Sequence, residues 1–333
     1  MTQALPTKKG DQYGMKIEAS RSAFSSCNDR FMKNYKEDIP FEKQLEILQE
    51  IKYVDAIPVT YDPAVNPLER RGFMAQYGIE PGTVVVDTYS QPRFAKGTLT
   101  SRDAGLRREF VEKSKKAMDF CKEIGGADIM LWLAHDGYDY PFEDDYAQRY
   151  GWLIDGLYEI ASYRRDVNVT IEYKPADPHI YQYVSTAPKA LTICNEVNLP
   201  NMGIILDYGH ALVAGENPAE SVALIDRYKR LFHIHLSDCY GKTDDDFLIG
   251  SITVWRTLEF FMQLQDVGYE GNYVLDIWPP RMDGVEATKV SVRRTLGMWE
   301  IAKSLPRYEF KKLRRENNVP AIYDLLTSIV LHI

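Results

Sequence analysis

The chain has 333 residues, 45% hydrophobic and 26% charged, with a formal net charge of −8. This length buries a large core without staples, and the acidic balance argues against a nucleic-acid partner, whose phosphates are met by Lys and Arg displacing counterions. Cys27, Cys121, Cys194 and Cys239 show no CxxC spacing, so neither a disulfide framework nor a structural zinc site is expected, and a reducing cytoplasm fits.

The N-terminal stretch lacks the apolar core of a signal peptide, and no run approaches the ~20 apolar residues of a membrane span. Beyond it, the hydrophobic period switches repeatedly between 2 and 3.6, the pattern of alternating strands and helices. Strands are predicted at 15–20, 54–59, 83–89, 128–133, 167–173, 202–206, 231–236 and 271–277. Helices are predicted at 41–51, 67–77, 104–124, 146–165, 186–197, 219–228, 253–267 and 285–304. Parallel strands need helical crossovers, and eight such units close on themselves, so the expected fold is a (β/α)8 TIM barrel. The expected organisation is an N-terminal arm at 1–14, the barrel at 15–304 and a C-terminal helical extension at 305–333. The end of the extension, from Ala321, is apolar and must bury itself on the barrel or on another chain.

One stretch stands out, Leu231-Phe-His-Ile-His-Leu-Ser-Asp238. Residues two apart on a strand share a face, so His233 and His235 point the same way. Three other predicted strands also end on polar residues: Glu172 and Lys174, Asp207 with His210 beyond it, and Asp276. The carboxyl ends of barrel strands face the loops that build active sites. Glu172, Asp207, His235 and Asp276 are therefore the expected ligands of one shared metal. Three carboxylates and an imidazole form a mostly hard set suited to Mn2+, with Mg2+ or Co2+ as alternatives. Four protein ligands leave two octahedral positions open for adjacent sugar oxygens, and the cation would stabilise charge developing on a carbonyl oxygen.

His135, a polar break after the apolar run at 128–133, is the expected general base. Lys174 is expected beside the metal, holding a substrate oxygen or pairing with Asp207 or Glu172. His210 is a candidate substrate-hydroxyl contact or a support for the ligands, and His233, one pleat deeper, is another candidate binding residue. Trp132, Tyr173, Trp255 and Trp278 are candidates for the floor under a sugar ring.

Glu172, the Asp-x-x-His at 207–210, the His-x-His-Leu-Ser-Asp at 233–238 and the carboxylate at 276 together resemble the xylose-isomerase-like barrel superfamily of sugar isomerases, epimerases and inositol dehydratases. The resemblance covers about residues 15–304 and implies that Glu172, Asp207, His235 and Asp276 hold the metal. Epimerases of that family usually carry Glu at the last position, whereas this chain has Asp276, and the Glu-x-Lys at 172–174 is more like the aldose isomerases. More narrowly, the strings at 135–142 and 240–246 resemble the large subunit of bacterial C-glycoside deglycosidases. That resemblance implies elimination from a 3-oxo-C-glycoside, with His135 as base and a small second subunit as partner. Aldose–ketose isomerisation or ketose 3-epimerisation, in a homo-oligomer or otherwise, is the alternative. A DNA-repair endonuclease of the same fold is disfavoured, because no histidine precedes His135.

Overall fold

The computed structural model describes residues 13–28 and 31–331. The expected N-terminal arm lies almost wholly outside them. Eight parallel strands close into a barrel: β1 (Lys16–Ala19), β2 (Ala56–Thr60), β3 (Glu80–Val85), β4 (Ile129–Trp132), β5 (Val169–Glu172), β6 (Met202–Asp207), β7 (Leu231–His235) and β8 (Asn272–Leu275). Going around the barrel the order is sequential, and β1 pairs with β8 from Lys16 opposite Asn272 to Ala19 opposite Leu275. The helices are α1 (Phe41–Glu50), α2 (Pro67–Gln76), α3 (Ala104–Ile124), α4 (Tyr146–Tyr163), α5 (Ala187–Val197), α6 (Tyr208–Val213), α7 (Pro218–Arg227), α8 (Val254–Val267), α9 (Gly284–Ser304), α10 (Arg307–Arg315) and α11 (Val319–Leu331).

All eight predicted strands and all eight crossover helices are present. The widest discrepancy is β3, which runs Glu80–Val85 instead of 83–89. Helix starts follow their caps: Asn66, Asp103, Asp145, Thr186, Asn217 and Asp283 each accept a backbone N–H from the first turn. The one-and-a-half-turn α6, the 3-10 turns at Arg21–Phe24 and Pro92–Phe94, and a two-residue antiparallel pairing of Gly137–Tyr138 with Tyr181–Gln182 are further elements. All are too short to show a period.

In the extension, α10 is basic and α11 is apolar. Ile322, Leu325, Leu326, Ile329 and Val330 of α11 pack against the core, and Tyr323 meets Trp255 edge-on at 6.4 Å. Val319 and Leu331 stay more than half exposed. No helix among the described residues is long and apolar enough to cross a membrane.

The barrel interior is not purely apolar. Glu18 is fully buried, accepting from Thr83 N at 3.1 Å and from Asn272 Nδ2. A Cβ at Gly82 would overlap that carboxylate, so the strand needs glycine there for a close approach. Asp128 takes hydroxyls from Thr83 and Thr170. His233 lies between these two acids, 3.6 Å from Glu18 and 3.5 Å from Asp128.

Another buried carboxylate ties two loops at the barrel mouth. Asp136 accepts the backbone N–H groups of Thr98 (3.0 Å) and Thr100 (2.6 Å) and both their hydroxyls, fastening the loop after β3 to the residue beside His135. Arg149 bridges the same loop, through Thr100 O, to Asp144. Replacing Asp136 with Ala strands four donors, and the expected loss is about 3 kcal/mol of unfolding free energy. Equilibrium urea denaturation would register this as a lower midpoint, and an unchanged midpoint would show that the clamp carries no weight.

Candidate metal centre

Because β5, β6, β7 and β8 are adjacent staves, their carboxyl-terminal residues fall side by side. One ligand atom each from Glu172, Asp207, His235 and Asp276 lies within 4.8 Å of every other. Glu172, Asp207 and His235 are buried and Asp276 is partly open, so the group faces the mouth.

Each of the four is held by its surroundings. Asp207 caps α6: its Oδ1 accepts His210 N at 2.8 Å and the Ser237 hydroxyl at 3.1 Å. Its Oδ2 is buried with no hydrogen-bond partner among the described residues, and so is His235 Nε2. His235 Nδ1 donates to Glu172 Oε1 at 3.0 Å and lies 3.3 Å from Asp276 Oδ2. Asp276 Oδ1 also takes the hydroxyls of Ser20 and Ser22, at 3.2 and 3.5 Å. Leaving buried polar atoms unpaired costs about 1–3 kcal/mol each. Orphaned atoms on an oxygen-rich set with one imidazole are what a divalent cation would satisfy, so the residues fit such an ion.

The charge balance points the same way. Burial pushes Asp207 up to about 6, with the negative Asp244, Asp276 and Glu172 adding to it against His210. Burial opposes a charge on His235, yet Glu172 and Asp276 outweigh it and raise its pKa well above the ordinary value. Burial likewise opposes a charged His210, but Asp207, Asp244 and Glu172 raise it to about 10.

His210 spends both ring nitrogens inside the protein, on Tyr173 O and Asp244 Oδ2, both at 3.0 Å. It thus braces the surroundings of the candidate ligands, and no ring N–H is left for a substrate hydroxyl. Lys174 does not pair with Asp207 or Glu172. It binds Asp244 at 2.8 Å and Asp177 at 3.0 Å, 5.1 Å from the centre of the Trp132 ring. His233 sits below the mouth, 1% exposed, between Glu18 and Asp128, so it is not with the substrate-facing groups. His135 is at the mouth. Its Nε2 donates to Tyr89 O at 3.0 Å, which leaves Nδ1 as the basic nitrogen. Trp278 is about one-third exposed on the loop after β8, and Trp132 packs on Tyr89 at 4.8 Å. Tyr173 is core, its hydroxyl on Glu216, and Trp255 lies beside α11.

Asp244 and Asp246 were not singled out from the sequence. The acidic run at 244–246 could have flagged them, but runs of that kind are usually solvated. Here Asp244 folds back onto Lys174 and His210, which hold its carboxyl well below the usual range despite burial. With Asp207 and His210 it forms a second set of ligand atoms within 4.8 Å of one another. Asp246 is pushed well up by burial and by the charges of Asp244, Asp276 and Asp207.

Residues 57–296 match the model of the family described as xylose isomerase-like TIM barrel. Xylose isomerases of Thermus thermophilus and Thermus caldophilus are each 25% identical to this chain, over 260 and 286 residues. The matches cover 75% and 82% of this chain, and 65% and 71% of those proteins, so the chain spans just under two thirds of the first. Among solved structures, D-psicose 3-epimerase from Clostridium cellulolyticum H10 superposes with a TM-score of 0.67 at 14% identity, covering 86% of this chain and 99% of that one. The 3-keto-D-glucoside 4-epimerase of E. coli gives 0.61 at 18% identity, covering 84% and 98%. An IolI protein carrying a zinc atom gives 0.63 at 17%, covering 86% and 98%. These structural likenesses establish the fold.

Ligation requires neutral His235 and ionised Asp207. Because both are held protonated at low pH, affinity for Mn2+ should fall as pH drops from 8 to 5, most steeply below about 6, where Asp207 takes up its proton. Titration calorimetry in buffers of different ionisation enthalpy should show at least about one proton released per ion at neutral pH. Affinity independent of pH would contradict this assignment.

Proposed function

We propose that this chain, which belongs to the xylose isomerase-like TIM barrel family, is a divalent-metal-dependent aldose–ketose isomerase. The observation that carries the reading is the convergence of Glu172, Asp207, His235 and Asp276 at the mouth, with Lys174 fixed beside them. The xylose isomerase relatives support it, and so does Asp276, whose oxygens are engaged by Ser20, Ser22 and His235 and which is therefore poorly placed to move a proton. The bound cation, most simply Mn2+, would supply electrostatic stabilisation of the charge that develops on a sugar carbonyl oxygen.

The remaining roles belong to the protein. His135 Nδ1 takes the proton from the carbon beside the carbonyl and returns it to the neighbouring carbon, its ring oriented by the Tyr89 carbonyl. Lys174 stays protonated, since the charges of Asp244 and Asp177 outweigh burial and raise its pKa. It presents an ammonium to the sugar oxygen as the proton on that oxygen moves. Trp132, at the end of β4, and Trp278, just after β8, would offer apolar faces to the ring carbons.

Cleavage of a 3-oxo-C-glycoside is the second reading, favoured by the loop strings at 135–142 and 240–246. It begins with the same proton abstraction and differs in what leaves, and it would call for a small second subunit.

The metal-loaded protein, incubated in D2O with a panel of aldoses and ketoses and with a 3-oxo-C-glycoside, should interconvert a free sugar and place solvent deuterium at the carbon beside the carbonyl. Chelation should abolish turnover. His135→Asn should lower kcat by about 10²–10⁴ and suppress deuterium incorporation. Turnover of the glycoside alone would favour elimination, and deuterium exchange surviving in His135→Asn would remove that residue as the base.

A further inference from the structure

The mouth carries a cationic position that the metal group leaves unused. Arg21 follows β1, and its neighbours on both sides, Ser20 and Ser22, donate to Asp276 Oδ1. Its backbone is thereby tied to the candidate ligands. The side chain crosses to the end of β2, where Nη1 donates to Thr60 Oγ1 at 3.2 Å, and the guanidinium carbon lies 5.4 Å from the centre of the Phe41 ring. Nε is buried without a hydrogen-bond partner, and Arg21 forms no ion pair among the described residues. Arg70 brings a second guanidinium to the same ring, at 4.5 Å, and it too forms no ion pair there.

This is an unusual way to place arginine. Elsewhere the buried Arg149 is paired with Asp144, and Arg230 is spent on the carbonyls of Leu199 and Met202. At Arg21, burial and the Arg70 charge both work against the positive form, with Tyr89 and Asp38 acting the other way. Asp38 is engaged by Ser26 N at 2.5 Å. Arginine keeps its proton at any working pH, so the group needs an acceptor from elsewhere. A planar guanidinium edge with an unused N–H suits an oxyanion, which can take two parallel hydrogen bonds from it.

We propose that Arg21, with Arg70 beside it, binds an oxyanion carried by the substrate, so that the barrel acts on a sugar bearing a phosphate or carboxylate group. This deepens the isomerase reading and rests on it for the identity of the mouth as a sugar site. Ser20, which contacts Asp276, and Arg21 are one residue apart, about 3.8 Å of backbone. The Arg21 guanidinium and the candidate ligands therefore lie at the same end of the barrel. In a chain of net charge −8, a local cationic spot of this kind is what an anionic substrate requires.

The test uses the full-length, metal-loaded protein. Affinities for a ketose phosphate, a hexuronate, a matching neutral ketose and inorganic phosphate are measured by calorimetry on the wild type, Arg21→Gln and Arg21→Lys, with turnover followed in parallel. At least one anionic sugar should bind about ten- to a hundred-fold more tightly than the neutral one. Whether the phosphate or the carboxylate gains identifies the oxyanion. Arg21→Gln should erase that ratio and Arg21→Lys should keep part of it. No binding of anionic sugars, equal affinity for neutral and anionic sugars, inorganic phosphate binding with no gain for the sugars, or a ratio that survives in Arg21→Gln would each overturn the proposal. Arg21-dependent binding of an anionic sugar without turnover of any sugar would leave the anion site standing and remove the isomerase reading instead.

Discussion

The crowding of acidic side chains at one end of the barrel is the constraint on which the rest depends. Glu172, Asp207, Asp244 and Asp276 share one small region with His210, His235 and Lys174. Two like charges about 4 Å apart repel by about 4 kcal/mol at the effective dielectric of such a site, which is comparable to the net stability of a whole domain. A barrel could not hold this group without positive charge among it. The two imidazoles and the lysine supply part, and the orphaned Asp207 Oδ2 and His235 Nε2 mark where a cation would supply the remainder. Structure and chemistry are linked here, since the crowding that is hard to fold is also what makes a place for a divalent cation.

Around this group the protein invests in rigidity. Ser237 and the first turn of α6 fix Asp207, Ser20 and Ser22 fix Asp276, and Tyr173 O with Asp244 fixes His210. One layer down, Glu18, Asp128 and His233 form a second buried polar set, laced to Thr83, Thr170 and Asn272. Supports of this kind hold ligands in place before any ion or substrate arrives. The loops that carry His135 are clamped in the same manner by Asp136, so His135 and the candidate ligands sit on one stiff frame.

Much of this was legible in the sequence, for identifiable reasons. A two-residue side-chain period and a strand-then-helix alternation survive in any barrel of parallel strands, so the eight units and the residues at their carboxyl ends could be read directly. Glu172, Asp207 and His235 each close a strand and Asp276 directly follows one, and strand ends are where period and chemistry coincide. Long-range pairing was the blind spot. Nothing local in the run at 244–246 says that Asp244 will fold onto Lys174 and His210, and His-x-His sets His233 one pleat below His235 without showing that Glu18 and Asp128 enclose it. Arg21 carries no local signal for the same reason, because its meaning lies in Thr60, Phe41 and Arg70, which are distant along the chain.

The most direct measurement is an anomalous-scattering map from a crystal of this protein grown or soaked with Mn2+. The account predicts one strong peak within bonding distance of Glu172, Asp207, His235 and Asp276, at the mouth of the barrel. A map with no peak there, or with manganese bound only elsewhere on the molecule, would contradict it.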